Sequence, residues 1–393
     1  MTIATEMSAP LPALTPTGAG RDRRGSWIPT GHMITTRILE LRKRRGLMIA
    51  LLLVNIGIPT IFLAIRLLTH ALDPKSYGPA GGYAIYTGLV AQIMYIFGFI
   101  VAATLGCTAG SSDLTDGMFR HLVVTGRSRL ALYLARIPAG LAIVVPMVAV
   151  GFTIVCAVCV FAAPTQLDYN GVQHVPVGLS RAGFESWAAD HADEVMCEFP
   201  FDIGPSSPIA PVAQAMSCGP NGPVKGGPLP AGVTPPTEAQ TRAAARLVAQ
   251  MDYSDYASQF LYPSNSLMIK SGLWLELEAL IGFVVGLGLA SLLGQRTVAV
   301  VLIIVLEVIL TPILSTHVIP HLINAQRAVV GLATTHLEPG HMPFPFGGGG
   351  GGGAGPNGMR IVPESITASV CVVVAWLVVW TALGAWRMMK RDA

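Results

Sequence analysis

The chain has 393 residues, 52% of them hydrophobic and only 12% charged, with a formal net charge of +3. Soluble domains carry about 25% charged residues, so half the usual charge is missing, and the mean hydropathy is +0.58. This composition excludes an ordinary soluble domain, suggests no nucleic-acid partner, and points to a protein whose partner is the lipid bilayer.

Residues 1–30, with the stretch MSAPLPALTPTGAG, read as a flexible tail. The first apolar run starts only at residue 47 and is too long for the core of a cleaved signal peptide. Before it, residues 33–45 are amphipathic. Ile34, Ile38 and Leu41 form an apolar stripe, while Arg37, Arg42, Arg44 and Arg45 supply a basic surface. Such a pattern predicts a helix in the headgroup layer that turns into the first span.

A membrane-crossing helix needs roughly 20 apolar residues. Six runs meet or approach that length: 47–65, 83–105, 137–163, 272–293, 297–315 and 365–386. The predicted fold is therefore an all-α polytopic membrane protein with six spans within residues 31–393. Four runs are free of charge. The fourth carries Glu276 and Glu278 near its start, and the fifth is interrupted by Glu307. An acid at the centre of a spanning helix costs about 2.5–3.5 kcal/mol, so Glu307 is expected to face the bundle interior or a wet cavity. It is a candidate for the substrate pathway, with Gln92 or Asn55 as possible polar neighbours. A structural, hydrogen-bonded glutamate is the plainer alternative. Glu276 and Glu278, placed near the interface by these boundaries, are weaker candidates.

The basic residues fall on one side if the spans alternate. Arg42 to Arg45 precede the first span, Arg120, Arg127, Arg129 and Arg136 lie between the second and third, Arg296 sits between the fourth and fifth, and Arg387, Lys390 and Arg391 follow the sixth. Basic residues favour the cytoplasmic side, which predicts a multi-pass protein of the cell (plasma) membrane with both termini in the cytoplasm.

Two larger pieces then fall outside. Residues 164–270 hold 13 prolines and ten acids against five bases, a composition suited to a long insertion of limited order. Within it, PPTEAQTRAAARLVAQM offers a capping box at Thr237 and Gln240. Ala244, Leu247, Val248 and Met251 follow at helical spacing, predicting a short helix packed on its own loop. Cys197 and Cys218 share this insertion and would pair on an oxidising side; the remaining four cysteines lie in or beside apolar runs as small apolar residues. The second piece, 316–364, contains seven consecutive glycines, Gly347 to Gly353, a flexible linker without the flanks of a nucleotide-binding turn.

No catalytic set emerges. His317 and His321 are four apart, but Pro320 lies between them and no third ligand is apparent, so no metal is expected. Asp190, His191, Asp193 and Glu194 read as a solvated acidic face. No glycine-rich turn ending in Gly-Lys-Ser/Thr occurs, because none of the five lysines follows a glycine. The chain is thus not expected to be an enzyme or to bind a cofactor itself, and any pumping work draws energy from a partner.

The segment LTDGMFRHLVVTGRSR, residues 114–129, stands apart between two uncharged runs. It combines Asp113 and Asp116, suited to a helix start, with Met118, Phe119 and Leu122 as apolar anchors and Arg120 within pairing distance of an acid. An ordinary charged loop would require neither the aspartates nor the large apolar residues. Together with the amphipathic helix, the short GQR connection between spans four and five and the outer piece before span six, this segment resembles the membrane subunit of a type-2 ABC transporter. The likeness covers the layout of residues 33–163 and 272–390. It rests on Asp116, Gly117, Met118, Phe119, the apolar run 122–124, Ser128, Arg129 and Arg136, which stands where that family often has a lysine. The 107-residue insertion departs from the family. The resemblance implies an efflux permease that dimerises with a second copy or a homologue. It also implies two ABC ATPase subunits at the cytoplasmic face, which carry ATP and Mg, and a coupling helix formed by Asp113, Asp116, Gly117, Met118, Phe119, Arg120, Leu122 and Arg129. A non-transporting membrane scaffold or sensor that binds a partner through the insertion is the alternative; a membrane-embedded enzyme is a further one.

Overall fold

The structure, a computed structural model, describes residues 27–73, 77, 80–115, 128–163, 166–198, 209–216, 218–219, 222–223, 234–260, 264–316, 319–339 and 362–390. It is mostly helical. Helix α1, Gly31–Lys43, carries Arg42 and Lys43 in its last turn, where cations favour the helix dipole, and it breaks at Arg44 (ψ 69°). Its stripe is laid against the protein: Leu41 is buried, Ile38 packs on the main core, and the helix lies along the third spanning helix.

Five helices are long and apolar enough to cross a membrane. They are α2 (Arg45–Leu72), α3 (with Ile85–Ser112 as its apolar part), α4 (Arg129–Phe161), α9 (Asn265–Leu293) and α13 (Ile366–Lys390). The predicted fifth span corresponds to α10, which is continuous from Arg296–Ile304 through a π-turn at Val305–Leu310 to Thr311–Thr316. It is not one of those five. Two short helices, α11 (Ile323–Arg327) and α12 (Val330–Thr335), lie between α10 and α13. Trp376 Nε1 donates to Ala328 O at 2.8 Å and Trp274 Nε1 to Thr334 O at 3.0 Å, tying this pair to α13 and α9.

Helix α9 is the hub: 78% of its apolar window is buried inside the protein, against 22% for α2 and 11% for α13. It begins at Asn265, capped by the Ser264 hydroxyl, seven residues before the apolar run predicts, and ends at Gly294 with φ 73°. Lipid tails are as apolar as leucine, so helices associate in a bilayer by close packing of small residues. The α3–α9 contact follows that rule. A side chain at Gly106 would collide with Phe283 O, and one at Gly286 with Ala103 O. The sequences GCTAG and GFVVG thus let the two backbones touch.

The insertion between α4 and α9 is more ordered than its composition suggests, and it adds two short strand pairs to a mostly helical chain. Gln166–Tyr169 (β1) and Val172–Pro176 (β2) form an antiparallel hairpin, pairing Leu167 with Val175 and Tyr169 with Val172. The two-residue turn is Asn170-Gly171, both at positive φ (48° and 87°), the backbone that Asn-Gly adopts at little cost and that matches strand twist. Helices α5 (Arg181–Asp190), α6 (Ala192–Glu198) and α7 (Ala210–Gln214) follow, then the pair β3 (Cys218–Gly219) and β4 (Gly222–Pro223) and the long α8 (Glu238–Phe260). They enclose a separate core around Tyr169, Val175, Phe184, Val195, Val248 and Tyr256.

Helix α8 does start at the capping box: Thr237 N donates to Gln240 Oε1 at 2.9 Å, and Gln240 N to Thr237 Oγ1 at 3.4 Å. Its buried face differs from the predicted stripe. Ala244, Ala245, Val248, Ala249 and Tyr256 point inward, whereas Leu247 and Met251 are exposed. Alanines on the inner face let α8 approach α5 closely, which a ranking by residue size does not anticipate.

Candidate functional site

Two places concentrate chemistry. The first is the foot of the bundle around the connector. Helix α3 carries Asp113 in its last turn and ends at Thr115, and α4 restarts at Arg129, capped by the Ser128 hydroxyl. Asp116, Gly117, Met118, Phe119, Arg120 and Leu122 lie outside the described residues. What flanks them is tightly built. Arg129 Nη1 donates to Met389 O at 3.0 Å, fastening the start of α4 to the end of α13. Arg136 is only 1% exposed and donates to Gly110 O at 3.2 Å, an acceptor it shares with the Ser291 hydroxyl of α9 at 3.3 Å. Ends of four helices, α3, α4, α9 and α13, are therefore joined here. Arg136 reads from sequence as one more positive charge; its burial against Gly110 gives it a fastening role.

The second place lies inside the bundle. Glu307 is buried and sits in the π-turn of α10, where Thr311 Oγ1 donates to its Oε2 at 3.0 Å while Oε1 has no hydrogen-bond partner. Its surroundings differ from the polar neighbours proposed from sequence. Asn55 donates to Leu51 O within its own helix, and Gln92 is exposed. Another carboxylate, Glu278, comes within electrostatic reach of Glu307 instead. Glu278 is also within electrostatic reach of Glu338, and Tyr95 is within electrostatic reach of all three. Glu278 is 1% exposed and Glu338 6%, and all four of their carboxyl oxygens lack a hydrogen-bond partner.

The backbone makes this arrangement possible. With α9 starting at Asn265, Glu278 falls near the middle of the helix and not at its interface end. Counted from the Gly294 turn at about 1.5 Å per residue, Glu278 and Glu307 both lie roughly 20–24 Å along their helices. The α11–α12 pair folds back so that Glu338, just beyond Thr335, comes within electrostatic reach of Glu278. Gly331 at the start of α12 is part of the fit, because a Cβ there would sit 2.7 Å from Glu307 Oε1. The three polar residues Asn55, Gln92 and Glu307 each occupy a π-turn of their helix, at Leu53–Gly57, Leu89–Met94 and Val305–Leu310. Such turns free a backbone carbonyl and recur at functional sites; here Thr311 Oγ1 lies 3.0 Å from both Leu306 O and Glu307 Oε2, and its one proton serves one of them at a time.

The remaining sequence candidates have structural settings. A disulfide joins Cys197 to Cys218 and closes the inserted unit. Asp193 and Glu194 occupy the first turn of α6, where acids favour the dipole, and His191 stacks on Trp187 while its Nδ1 contacts Trp187 O at 2.9 Å. His321 is exposed, and His317 lies outside the described residues. No cluster of three or more metal-ligating side chains occurs among the described residues. Searches among protein families, curated proteins and solved structures find no match to this chain.

Proposed function

We propose that the chain is the transmembrane permease subunit of an ATP-driven ABC transporter, moving its substrate outward with energy from a separate ATPase. The observation that carries this reading is the foot of the bundle. The helix ends on either side of this polar segment in the sequence, those of α3 and α4, are fastened to α9 and α13 through Gly110, Arg129 and Arg136. A protein that pushed on Met118, Phe119 and Leu122 would there move four helix ends together. In this reading the ATPase pair binds ATP and Mg and closes. The connectors rock two permease copies, and the substrate passes along their shared interface in the plasma membrane. The sparsely buried α2 and α13 leave faces for the second copy and for lipid. Both termini lie in the cytoplasm.

Co-purification tests it. An ABC ATPase should be retained by the wild type and lost on Phe119→Ala or Arg120→Ala, with loss of ATP-driven transport in vesicles. Transport of the same substrate by vesicles lacking any ATPase would end this reading. The inserted unit, with its own core and disulfide, favours a second reading, a membrane sensor or scaffold that binds a partner through that unit. Under that reading, deleting residues 166–260 abolishes partner capture while the Phe119 variant retains it.

A further inference from the structure

Four consecutive bases, Arg42, Lys43, Arg44 and Arg45, stand at the elbow where α1 ends and α2 begins. The apolar stripe of α1 is turned to the bundle, with Leu41 buried and Ile38 packed on the main core. That contact holds α1 in place and leaves its charged side outward. Arg42, Lys43 and Arg45 are all exposed. The acid of α1, Glu40, is engaged by Arg37 of the same helix. None of the Arg42, Lys43 and Arg45 side chains has an ion-pair or hydrogen-bond partner among the described residues.

The two helix ends treat these charges differently. Arg42 and Lys43 occupy the last turn of α1, where the dipole favours cations. Arg45 opens α2, whose first turn contains no acid, so its charge faces the positive end of that helix. An anion beside Arg45 offsets this repulsion.

The residues that follow identify what carries the anion. Ile49, Leu52 and Leu53 come four, seven and eight positions after Arg45, on the same face of α2, and all three are exposed. Only 22% of the apolar window of α2 is buried inside the protein, so this face is left to acyl chains. A surface that runs from bases into exposed isoleucine and leucine matches a molecule with an anionic head and a hydrocarbon tail. An acidic protein surface would match the bases but not the apolar face beside them. Basic residues next to a span attract anionic lipid at about 1 kcal/mol each, roughly fivefold in affinity.

We propose that Arg42, Lys43 and Arg45 bind the phosphate headgroup of an anionic phospholipid whose acyl chains run along Ile49, Leu52 and Leu53. The site needs only the membrane-spanning helices, so it stands or falls apart from the permease reading.

The test titrates the full-length chain in detergent with dioleoyl phosphatidylglycerol or dioleoyl phosphatidylcholine and counts bound lipid by native mass spectrometry. The wild type should bind phosphatidylglycerol about tenfold or more tightly than phosphatidylcholine, with the preference shrinking as salt rises. Replacing all three bases (Arg42→Gln, Lys43→Gln, Arg45→Gln) should lower phosphatidylglycerol affinity by about tenfold or more. Removing three exposed bases of the inserted unit instead (Arg181→Gln, Arg242→Gln, Arg246→Gln) should leave it unchanged. Arg45→Glu places an acid in the first turn of α2, where the dipole favours it, so this variant should fold and still lose affinity. Equal affinity for the two lipids in the wild type, or wild-type affinity in the folded Gln or Glu variants, overturns the proposal. So does displacement of the lipid by an equimolar amount of glycerophosphoglycerol, the headgroup without chains, which would make this a site for a free phosphate. Loss of ATPase retention in the triple variant with phosphatidylglycerol affinity intact would assign the bases to a protein partner and likewise overturn it.

Discussion

The membrane bundle and the inserted unit are each built around a helix hub, α9 and α8, yet they handle polar groups in opposite ways. In the inserted unit, buried polar groups are paired. Tyr256 donates to Pro176 O at 2.6 Å and accepts from Leu179 N at 3.0 Å, and Tyr169 donates to Asp252. Large rings fill its core, with Phe184 and Tyr256 stacked 4.0 Å apart. In the bundle, glycines and alanines do the packing, and carboxylates are left without partners at its centre. A unit that has only to fold satisfies its polar atoms. In the bundle, by contrast, carboxyl oxygens of Glu278 and Glu338 stay without a hydrogen-bond partner at high burial.

The sharpest way to break this comparison is to remove the close approach that holds the bundle together. Gly286→Leu places a branched side chain against the Ala103 carbonyl, which belongs to backbone and cannot rotate away. Overpacking even with flexible neighbours costs about 1–3 kcal/mol, and here the helices must separate. The expected outcome is no monodisperse protein in detergent, whereas Leu247→Ala, on the exposed side of α8, is recovered at wild-type yield. Normal recovery of Gly286→Leu would show that the glycine contact is not what joins α3 to α9.

Much of this architecture was readable in the chain. The apolar runs, the basic segments between them, the break after α1 and the Thr237–Gln240 cap all follow from local rules. Other signals were equally local but hidden by the company they kept. Asn170-Gly171 is a hairpin turn inside a proline-rich, acidic stretch that reads as disorder, and GCTAG and GFVVG are packing motifs inside runs that hydropathy treats as uniform. The buried acids were legible only in part. Glu307 stands out because it interrupts an apolar run. Glu278 looked interfacial because apolarity begins at 272, while the helix itself begins at Asn265. Glu338 lies outside any apolar run, and its burial arises from the fold-back of α11 and α12, a tertiary event with no local sequence signature. Residues 116–127, which carry the coupling proposal, lie outside the described structure, so their reading still rests on sequence.

A middle-sized effect is expected where the inserted unit is closed covalently. The Cys197–Cys218 bridge spans a sequence separation of 21, and closing a loop of that size stabilises by about 3 kcal/mol in the chain-entropy account. Replacing both cysteines by serine should therefore make the inserted unit more sensitive to protease while the bundle, probed by detergent stability, is unaffected. Reduction of the wild type should do the same. Simultaneous loss of both regions would show that they fold as one cooperative unit, and the contrast drawn between them would fail.

The smallest expected effect tests whether pairing in the inserted unit is complete. Asp252 is half-buried, and burial pushes its carboxyl above the ordinary value, more than the hydrogen bond from Tyr169 pulls it down; the nearby Asp255 charge adds to the rise. A carboxyl whose folded pKa exceeds its unfolded value contributes stability in its protonated form. That contribution is fully present below the unfolded pKa and is lost as pH rises through the raised folded value. The inserted unit should thus become slightly more stable relative to an Asp252→Asn variant as the medium is acidified through this window. At neutral pH the variant, whose amide oxygen still accepts from Tyr169, should equal or exceed the wild type. Protease resistance of residues 166–260 measured against pH reads this directly. A wild type that is the more stable at neutral pH, with its advantage lost on acidification, would mean that the Tyr169 bond outweighs burial, and that Asp252 belongs with the fully satisfied groups around it.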